Sequence, residues 1–116
     1  NSDPQQAVKT VGRIALGSKY FETAEAIKTL ANMFKLIADP ESLPHNSVRD
    51  EYLEAVCAAR ANNLEVALDG FVGVIRKNRY YDNDGARKAC IAIFKLLGEE
   101  HEATRRHRPA FASALH

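Results

Sequence analysis

Residues that could perform metal or phosphate chemistry are scattered along this 116-residue chain rather than grouped. The histidines lack the spacing of a metal site, because His101 and His107 lie six residues apart and so off one helical face. The glycines form no phosphate-binding loop, since Gly12 and Gly17 lack a flanking strand and a following Lys-Ser or Lys-Thr pair. Neither kind of site is therefore predicted.

Carboxylates and hydroxyls add no catalytic arrangement. Pairs such as Glu99 and Glu100 fall in the first turns of predicted helices, where the helix dipole favours negative charge without catalysis. No serine and histidine are ordered as a nucleophile and its base. The sequence therefore predicts no catalytic residue, no cofactor and no metal ligand, and a protein that is not an enzyme.

The basic side chains of the C-terminal third are the most suggestive functional feature. Residues 1–75 carry 7 basic and 10 acidic residues, and residues 76–116 carry 9 basic and 5 acidic ones, although the whole chain has a net charge of only +1. One group flanks Tyr80-Tyr81 and the other lies on the last predicted helix. The candidate partner-binding residues are Arg76, Lys77, Arg79, Tyr80, Arg105, Arg106, Arg108 and Phe111.

Three interpretations of these basic residues stay open. They could contact an acidic protein partner, where such charges set the on-rate and its salt dependence. They could bind single-stranded RNA by charge and by stacking on the tyrosines, although nucleic acid is the less favoured partner. They could also form only a solvated face. Phe111 is the candidate apolar anchor for a partner, or else packs onto Phe94 and Leu97.

Apolar residues recur at spacings of three and four through most of the chain, which predicts helices and no strand. We expect six helices in three antiparallel pairs, an all-α fold that forms a short right-handed solenoid within a single domain, residues 1–116. The first pair is expected to turn at Gly17-Ser18 and to end at Asp39-Pro40. The last helix, Glu99 to Leu115, should bend or break at Pro109.

The third and fourth predicted helices form the best-defined pair. Asn62-Asn63 separates them, and small residues on one helix face Phe71 on the other, which lets two helices approach closely. The order of Ala55, the Asn62-Asn63 turn, Ala67 and Phe71 resembles the tetratricopeptide repeat (TPR) signature. Glu54 departs from that signature, because a large apolar residue is expected there.

The run from Arg76 to Gly98, with the last helix, resembles the C-terminal end of the thioredoxin–TPR co-chaperones of the CnoX/YbbN type. The matching residues are Arg79, Tyr81, Asp82, Asp84, Ala86, Arg87, Lys88, Phe94, Leu96, Leu97, Gly98, Arg105, Arg106, Ala112 and Leu115. The resemblance implies a TPR-like domain that is a fragment or homologue of the C-terminal domain of a longer protein. It also implies that Arg87 pairs with an acidic residue across the last hairpin.

The resemblance implies a non-enzymatic protein-interaction module, an adaptor or co-chaperone domain that holds client polypeptides and docks to a chaperonin. The alternatives are a structural subunit of a larger, organellar complex and an RNA-binding helical repeat. Protein partners are expected, and no apolar run is long enough to span a membrane.

Cysteine usage indicates the compartment. Cys57 and Cys90 lie on apolar helix faces and are expected to be buried, unpaired and slow to react. Unpaired cysteines favour a reducing compartment, which would be the bacterial cytoplasm or an organellar interior such as the mitochondrial matrix. The stretch Asn1–Pro4 has neither the basic start nor the apolar core of a signal peptide.

Overall fold

A computed structural model of the chain describes residues 4–116, with side chains described from residue 20 onward. These residues form five α-helices and a short 3-10 turn, and no strand occurs within this described range. The elements are α1 (Pro4–Ala38), the 3-10 turn (Pro40–Ser42), α2 (Arg49–Arg60), α3 (Leu64–Lys77), α4 (Tyr81–Leu97) and α5 (Glu102–Ala114).

The first predicted helix pair is a single helix, so the expected break at Gly17-Ser18 is wrong. A glycine inside a helix costs only about 1 kcal/mol relative to alanine, and a serine costs less, so neither must end a helix. The predicted end is confirmed, since α1 stops at Ala38 and Pro40 begins the 3-10 turn. The Asp3-Pro4 pair predicts a helix start with Asp3 as its cap, and the apolar residues from Ala7 to Leu16 predict a first buried stripe. That cap and the side chains of that stripe lie outside the described residues.

The central hairpin, α2 and α3, follows the predicted pattern closely. Ala67, Leu68 and Phe71 are fully buried, and Ala55 is almost so. A Cβ atom on Gly70 would lie 2.9 Å from the Cβ of Ala55, which shows how closely the two helices approach. Small residues at this crossing therefore set the separation of the hairpin.

Tyr52 is the large core residue that the sequence analysis missed. It is fully buried at the start of α2, and its ring lies edge-on to Phe71 at 5.8 Å and to Tyr81 at 5.4 Å between centroids. Its hydroxyl donates a hydrogen bond to Asp82 Oδ2 at 2.7 Å. Burial raises the pKa of Tyr52 well above its usual range, with Asp82 adding to the shift, so the hydroxyl keeps its proton as a donor.

The run from Tyr80 to Gly85 predicts a turn, and in the structure this run lies at the start of α4. Asp82, Asn83 and Asp84 have φ values of 56°, 55° and 67°, which together make one left-handed turn. Asp and Asn tolerate this conformation better than most residues, because their short polar side chains bond locally. Arg87 pairs with Asp84 in this turn, so the expected pairing across the last hairpin is wrong.

The end of α4 and the course of α5 differ in part from expectation. Gly98 was expected to close α4 with a left-handed cap, and it does end the helix at a positive φ of 90°, but its ψ of 157° is not the left-handed helical conformation. The last helix begins at Glu102 rather than at Glu99. His101 caps it, because its Nδ1 accepts a hydrogen bond from the Ala103 amide at 3.0 Å. Helix α5 continues through Pro109, so the expected break is absent. Pro109 lies on the exposed face, where the carbonyl that loses its donor can meet water.

Long-range contacts define how the two hairpins stack. Helices α2 and α4 meet at their starts, where the rings of Tyr52 and Tyr81 lie edge-on to each other. Helices α3 and α5 also meet near their starts, where Arg106 of α5 pairs with Glu65 of α3. This stacking of like helices is that of a short α-solenoid with two helix pairs, not three.

The C-terminal half of α1 packs across the face that α2 and α4 share. Ala26, Leu30 and Met33, called the inner stripe below, are buried there. Met33 therefore fills the core rather than a groove. The face of α2 and α4 that would otherwise be open is covered by this helix.

The two cysteines differ, which corrects the expectation that both are buried. Cys90 is fully buried on α4, whereas Cys57 is exposed on α2, and both are free thiols. Burial raises the pKa of Cys90 to about 12. The helical periodicity of α2 turns Cys57 to solvent, because Ala55, Val56 and Ala59 take the buried positions.

The native protein should therefore take up one equivalent of iodoacetamide rapidly, at Cys57. Cys90 should react only after unfolding, because its thiol is buried and stays protonated at neutral pH. Mass spectrometry of timed samples measures both rates, with a Cys57→Ser variant as the control that should stay unlabelled until denaturant is added. Equal labelling rates at the two thiols in the native state would contradict the burial of Cys90.

Candidate protein-interaction surface

The predicted arginines of the last helix, Arg105, Arg106 and Arg108, are called the α5 arginines below. Each forms an ion pair within the chain. Arg105 pairs with Glu100 at 2.6 Å, on an exposed part of the surface. Arg108 binds Glu99 through Nε at 3.3 Å and through a second nitrogen, and its guanidinium lies 4.5 Å from the centroid of the Phe94 ring.

Arg106 ties α5 to α3 rather than facing solvent alone. It pairs with Glu65 across the helix interface and with Glu102 at 2.7 Å along its own helix. The hydrogen bond that Arg106 donates to Glu65 raises the pKa of Arg106, and the hydrogen bond that Arg108 donates to Glu99 lowers the pKa of Glu99. Positive and negative charge alternate on this face, so it is less basic than the sequence alone suggests.

A buried histidine beside these arginines was not predicted as an interface residue. His107 Nε2 lies 3.0 Å from Asp69 Oδ1 on α3, and Nδ1 lies 2.9 Å from the Ala103 carbonyl oxygen. Both neighbours are acceptors, so both contacts are hydrogen bonds only when both ring nitrogens carry protons. The α3–α5 interface therefore has polar as well as apolar links, which a spacing pattern within one helix cannot reveal.

Phe111 takes the second of its two expected positions. It is 5% exposed, and its ring lies edge-on to Phe94 with 5.4 Å between centroids. The role of surface anchor is therefore corrected, because a partner cannot reach this ring without opening the α4–α5 packing. An exposed aromatic anchor must be sought elsewhere.

The second predicted group lies where α3 ends. Lys77 pairs with Glu51 at 2.8 Å, while Arg76 is exposed and forms no ion pair with the described side chains. Arg79 donates a hydrogen bond to the Leu115 carbonyl at 3.0 Å and lies 5.3 Å from the Tyr80 ring centroid. Tyr80 is 69% exposed.

The two predicted groups lie towards opposite ends of α5, since Arg106 pairs with Glu65 at the start of α3, whereas Arg79 bonds to Leu115 just after α5 ends. Arg79 links the Tyr80 turn to the C-terminal end of α5, so both groups lie along the α3–α5 side of the stack. Arg76 and Tyr80 are the members with most freedom to meet a partner, since Arg79 and the α5 arginines already have partners in the chain. Whether any of these residues binds a partner stays a prediction.

The described residues lack the sites that other classes of protein would need. Among residues 20–116, no three His, Cys, Asp or Glu side chains come together in a way that could hold a metal ion. In the part of the chain that the structure describes, no helix is both long and apolar enough to cross a membrane.

Residues 44–116 match the tetratricopeptide repeat family, and this range contains both stacked helix pairs. The chain belongs to the tetratricopeptide repeat family. Tetratricopeptide repeats generally mediate protein–protein interaction. The match covers the repeat family as a whole and does not single out the thioredoxin–TPR co-chaperones.

No curated protein and no solved structure matches the chain. Helix α1 ends at Ala38, before the matched range begins, so it is an addition to the repeats rather than part of them. The tetratricopeptide pairs are thus α2 with α3 and α4 with α5, and α1 packs on the first helix of each pair.

Proposed function

We propose that this chain is a non-enzymatic adaptor domain that binds proteins, acting as a co-chaperone that holds client polypeptides and docks to a chaperonin. The observation that carries the proposal is the stack of two tetratricopeptide pairs with a mixed basic and aromatic edge along α3 and α5. The unpaired thiols fit a reducing compartment.

The edge that we assign to the partner consists of Arg76, Tyr80 and the α5 arginines. Arg76 forms no ion pair with the described side chains, and Tyr80 is 69% exposed with Arg79 over its ring, so a partner can reach both side chains. The α5 arginines are paired with glutamates, and a partner carboxylate would compete for them rather than find them free. A partner surface that combines acidic and apolar residues would complement such an edge. A polyanion would instead meet the glutamates as well as the arginines.

The alternative function is that of a structural subunit in a larger, organellar complex. The addition of α1 over the repeats favours this alternative, because that helix covers the α2–α4 face on which a client could otherwise lie. An RNA-binding role is the least supported, since the glutamates beside the α5 arginines repel a phosphate backbone.

The proposal predicts that a double variant, Arg76→Glu with Tyr80→Ala, binds about tenfold more weakly, equivalent to about 1.4 kcal/mol. Purified GroEL-type chaperonin and a chemically unfolded client are titrated separately, at low and high salt. Added salt should weaken the wild type more than the variant, because charges at a rim act mainly through long-range attraction.

Arg60→Glu is the matched control, since Arg60 is also an exposed arginine at a helix end but lies on α2, away from the edge. It should bind like the wild type. If the wild type binds neither the chaperonin nor the client, the co-chaperone role is wrong, and a fixed-stoichiometry complex with other subunits becomes the expected result of isolating the native protein. Equal binding by the double variant and the wild type would move the site away from this edge.

A further inference from the structure

Helix α1 is apolar on two faces, and only one of them is covered. The inner stripe faces α2 and α4. On another face lie Tyr20, Phe21 and Ile27, which are 76%, 63% and 54% exposed. The exposed residues Ala24 and Ala31 continue this face at helical spacing. The outer stripe is defined here as Tyr20, Phe21, Ala24, Ile27 and Ala31.

An exposed apolar stripe of this kind indicates that another protein surface covers it. Only six large hydrophobic residues are exposed among the described side chains, and three of them lie within eight residues on this one helix. The inner stripe already explains the packing of α1 on the repeats, so the outer stripe has no packing role among the side chains that the structure describes. A surface helix with one buried face would normally be polar on its other faces.

We propose that the outer stripe is the contact of a homodimer in which the α1 helices of two copies pack antiparallel. The residue sizes favour this orientation. If Ala24 of one copy lies opposite Ile27 of the other, then Tyr20 lies opposite Ala31, so Tyr20 and Ile27 each meet an alanine, and both pairs occur twice by symmetry. A parallel pair would set Tyr20 against Tyr20 and alanine against alanine, which leaves gaps between the helices.

The exposed charges beside the stripe fit the same arrangement. Glu25 and Lys28 lie along one flank of the outer stripe and are both exposed. In the antiparallel pair, Lys28 of each copy comes beside Phe21 and Glu25 of the other, so unlike charges meet at both ends of the contact. Such surface pairs add little affinity, but they select the orientation and register of paired helices.

The outer stripe is self-complementary, so a second copy of the chain is the occupant that fits it. A two-fold contact needs one patch that fits itself, and the division into large residues near Tyr20 and a small residue at Ala31 supplies that fit. The outer stripe shares no residue with Arg76, Tyr80 and the α5 arginines, so the dimer is tested on residues that the proposed chaperone function does not use. Two adaptor edges would then be presented by one assembly.

Sedimentation velocity over about 1 µM to about 1 mM tests the dimer. The wild type should shift from monomer to dimer within this range. Ile27→Glu should raise the dissociation constant at least about tenfold, because it places two carboxylates in the apolar contact. Val66→Glu is the matched control: Val66 is 53% exposed on α3, and that variant should dimerise like the wild type.

Circular dichroism melts of both variants establish that the fold is retained, since both sites are exposed. Orientation is then tested with Ala24→Cys and Ile27→Cys variants, each in a Cys57→Ser background and mixed under mild oxidation. The antiparallel dimer predicts mainly the mixed disulfide, whereas a parallel dimer would give mainly disulfides between two chains that carry the same substitution.

A wild type that stays monomeric throughout the range overturns the proposal, and a different protein would then be the occupant of the stripe. The proposal is equally overturned if Ile27→Glu associates as strongly as Val66→Glu, or if the disulfides report a parallel pair.

Discussion

Replacing Phe71 with alanine is expected to lower the free energy of unfolding by about 3–5 kcal/mol. Phe71 is fully buried on α3, and its ring lies edge-on to Tyr52 of α2. Removing the ring leaves a cavity at the centre of the first helix pair and ends the aromatic contact, which adds to the lost burial. The close approach of Gly70 to Ala55 leaves the backbone little room to collapse into that space.

Chemical denaturation of the variant measures this loss directly. Val66→Ala supplies the control on the same helix, because Val66 is half-exposed and its truncation should change stability by no more than about 0.5 kcal/mol. A loss below about 1 kcal/mol for Phe71→Ala would mean that the ring is not the centre of the hairpin.

The hairpin around Phe71 is the part of the fold that sequence reasoning predicted best. Its helices have apolar residues at spacings of three and four, and the Asn62-Asn63 turn between them has a clear local signal, since Asn62 adopts a φ of 66°. Asn63 directly precedes Leu64, the first residue of α3, which is the position of a cap residue, although its side chain accepts no hydrogen bond from an amide there. The apolar spacing and the turn depend only on residues that are close together in the chain, so a single sequence was enough to predict them.

The prediction for the first third of the chain was wrong for a different reason. A Gly-Ser pair lowers helix stability without forbidding a helix, and a small local cost cannot decide between a turn and a continuous α1. Tyr52 was missed because one aromatic at a helix start has no periodic signal of its own. Its burial depends on Phe71 and Tyr81, which come from two other helices.

The residue types of the candidate site were predicted from the sequence, but the contacts that those residues make were not. Basic residues and Tyr80 were recognised by type, yet their ion pairs join residues as far apart as Glu65 and Arg106. The placement of Phe111 against Phe94 was one of two expected outcomes, and only the packing of α4 on α5 chose between them. Contacts between separate helices are invisible to a pattern read along one helix.

The largest effect of a small substitution is expected at Gly85, on α4 directly after the left-handed turn. A Cβ atom there would collide with the Tyr52 hydroxyl and lie 3.1 Å from Asp82 Oδ2. The Tyr52 hydroxyl cannot easily yield, because its ring is fully buried between Phe71 and Tyr81.

Gly85→Ala should therefore lower the free energy of unfolding by about 3 kcal/mol or more, from overpacking and from loss of the buried hydrogen bond between Tyr52 and Asp82. Gly73→Ala is the matched control on α3. Its added Cβ would lie 2.6 Å from Glu51 Oε2, the end of a flexible and partly exposed side chain that can move aside. Equal and small losses for the two glycines would show that the Tyr52 hydroxyl is also free to move.

A double-mutant cycle identifies the cause of the loss at Gly85. Tyr52→Phe removes the oxygen with which the new methyl group collides, at a cost of about 1–3 kcal/mol for leaving Asp82 without its donor. If the collision is with that oxygen, Gly85→Ala should cost at least about 1 kcal/mol less in the Tyr52→Phe background than in the wild type. Additive losses would mean that the methyl group is resisted by the backbone of the left-handed turn instead, and that the Tyr52–Asp82 bond does not set the spacing between α2 and α4.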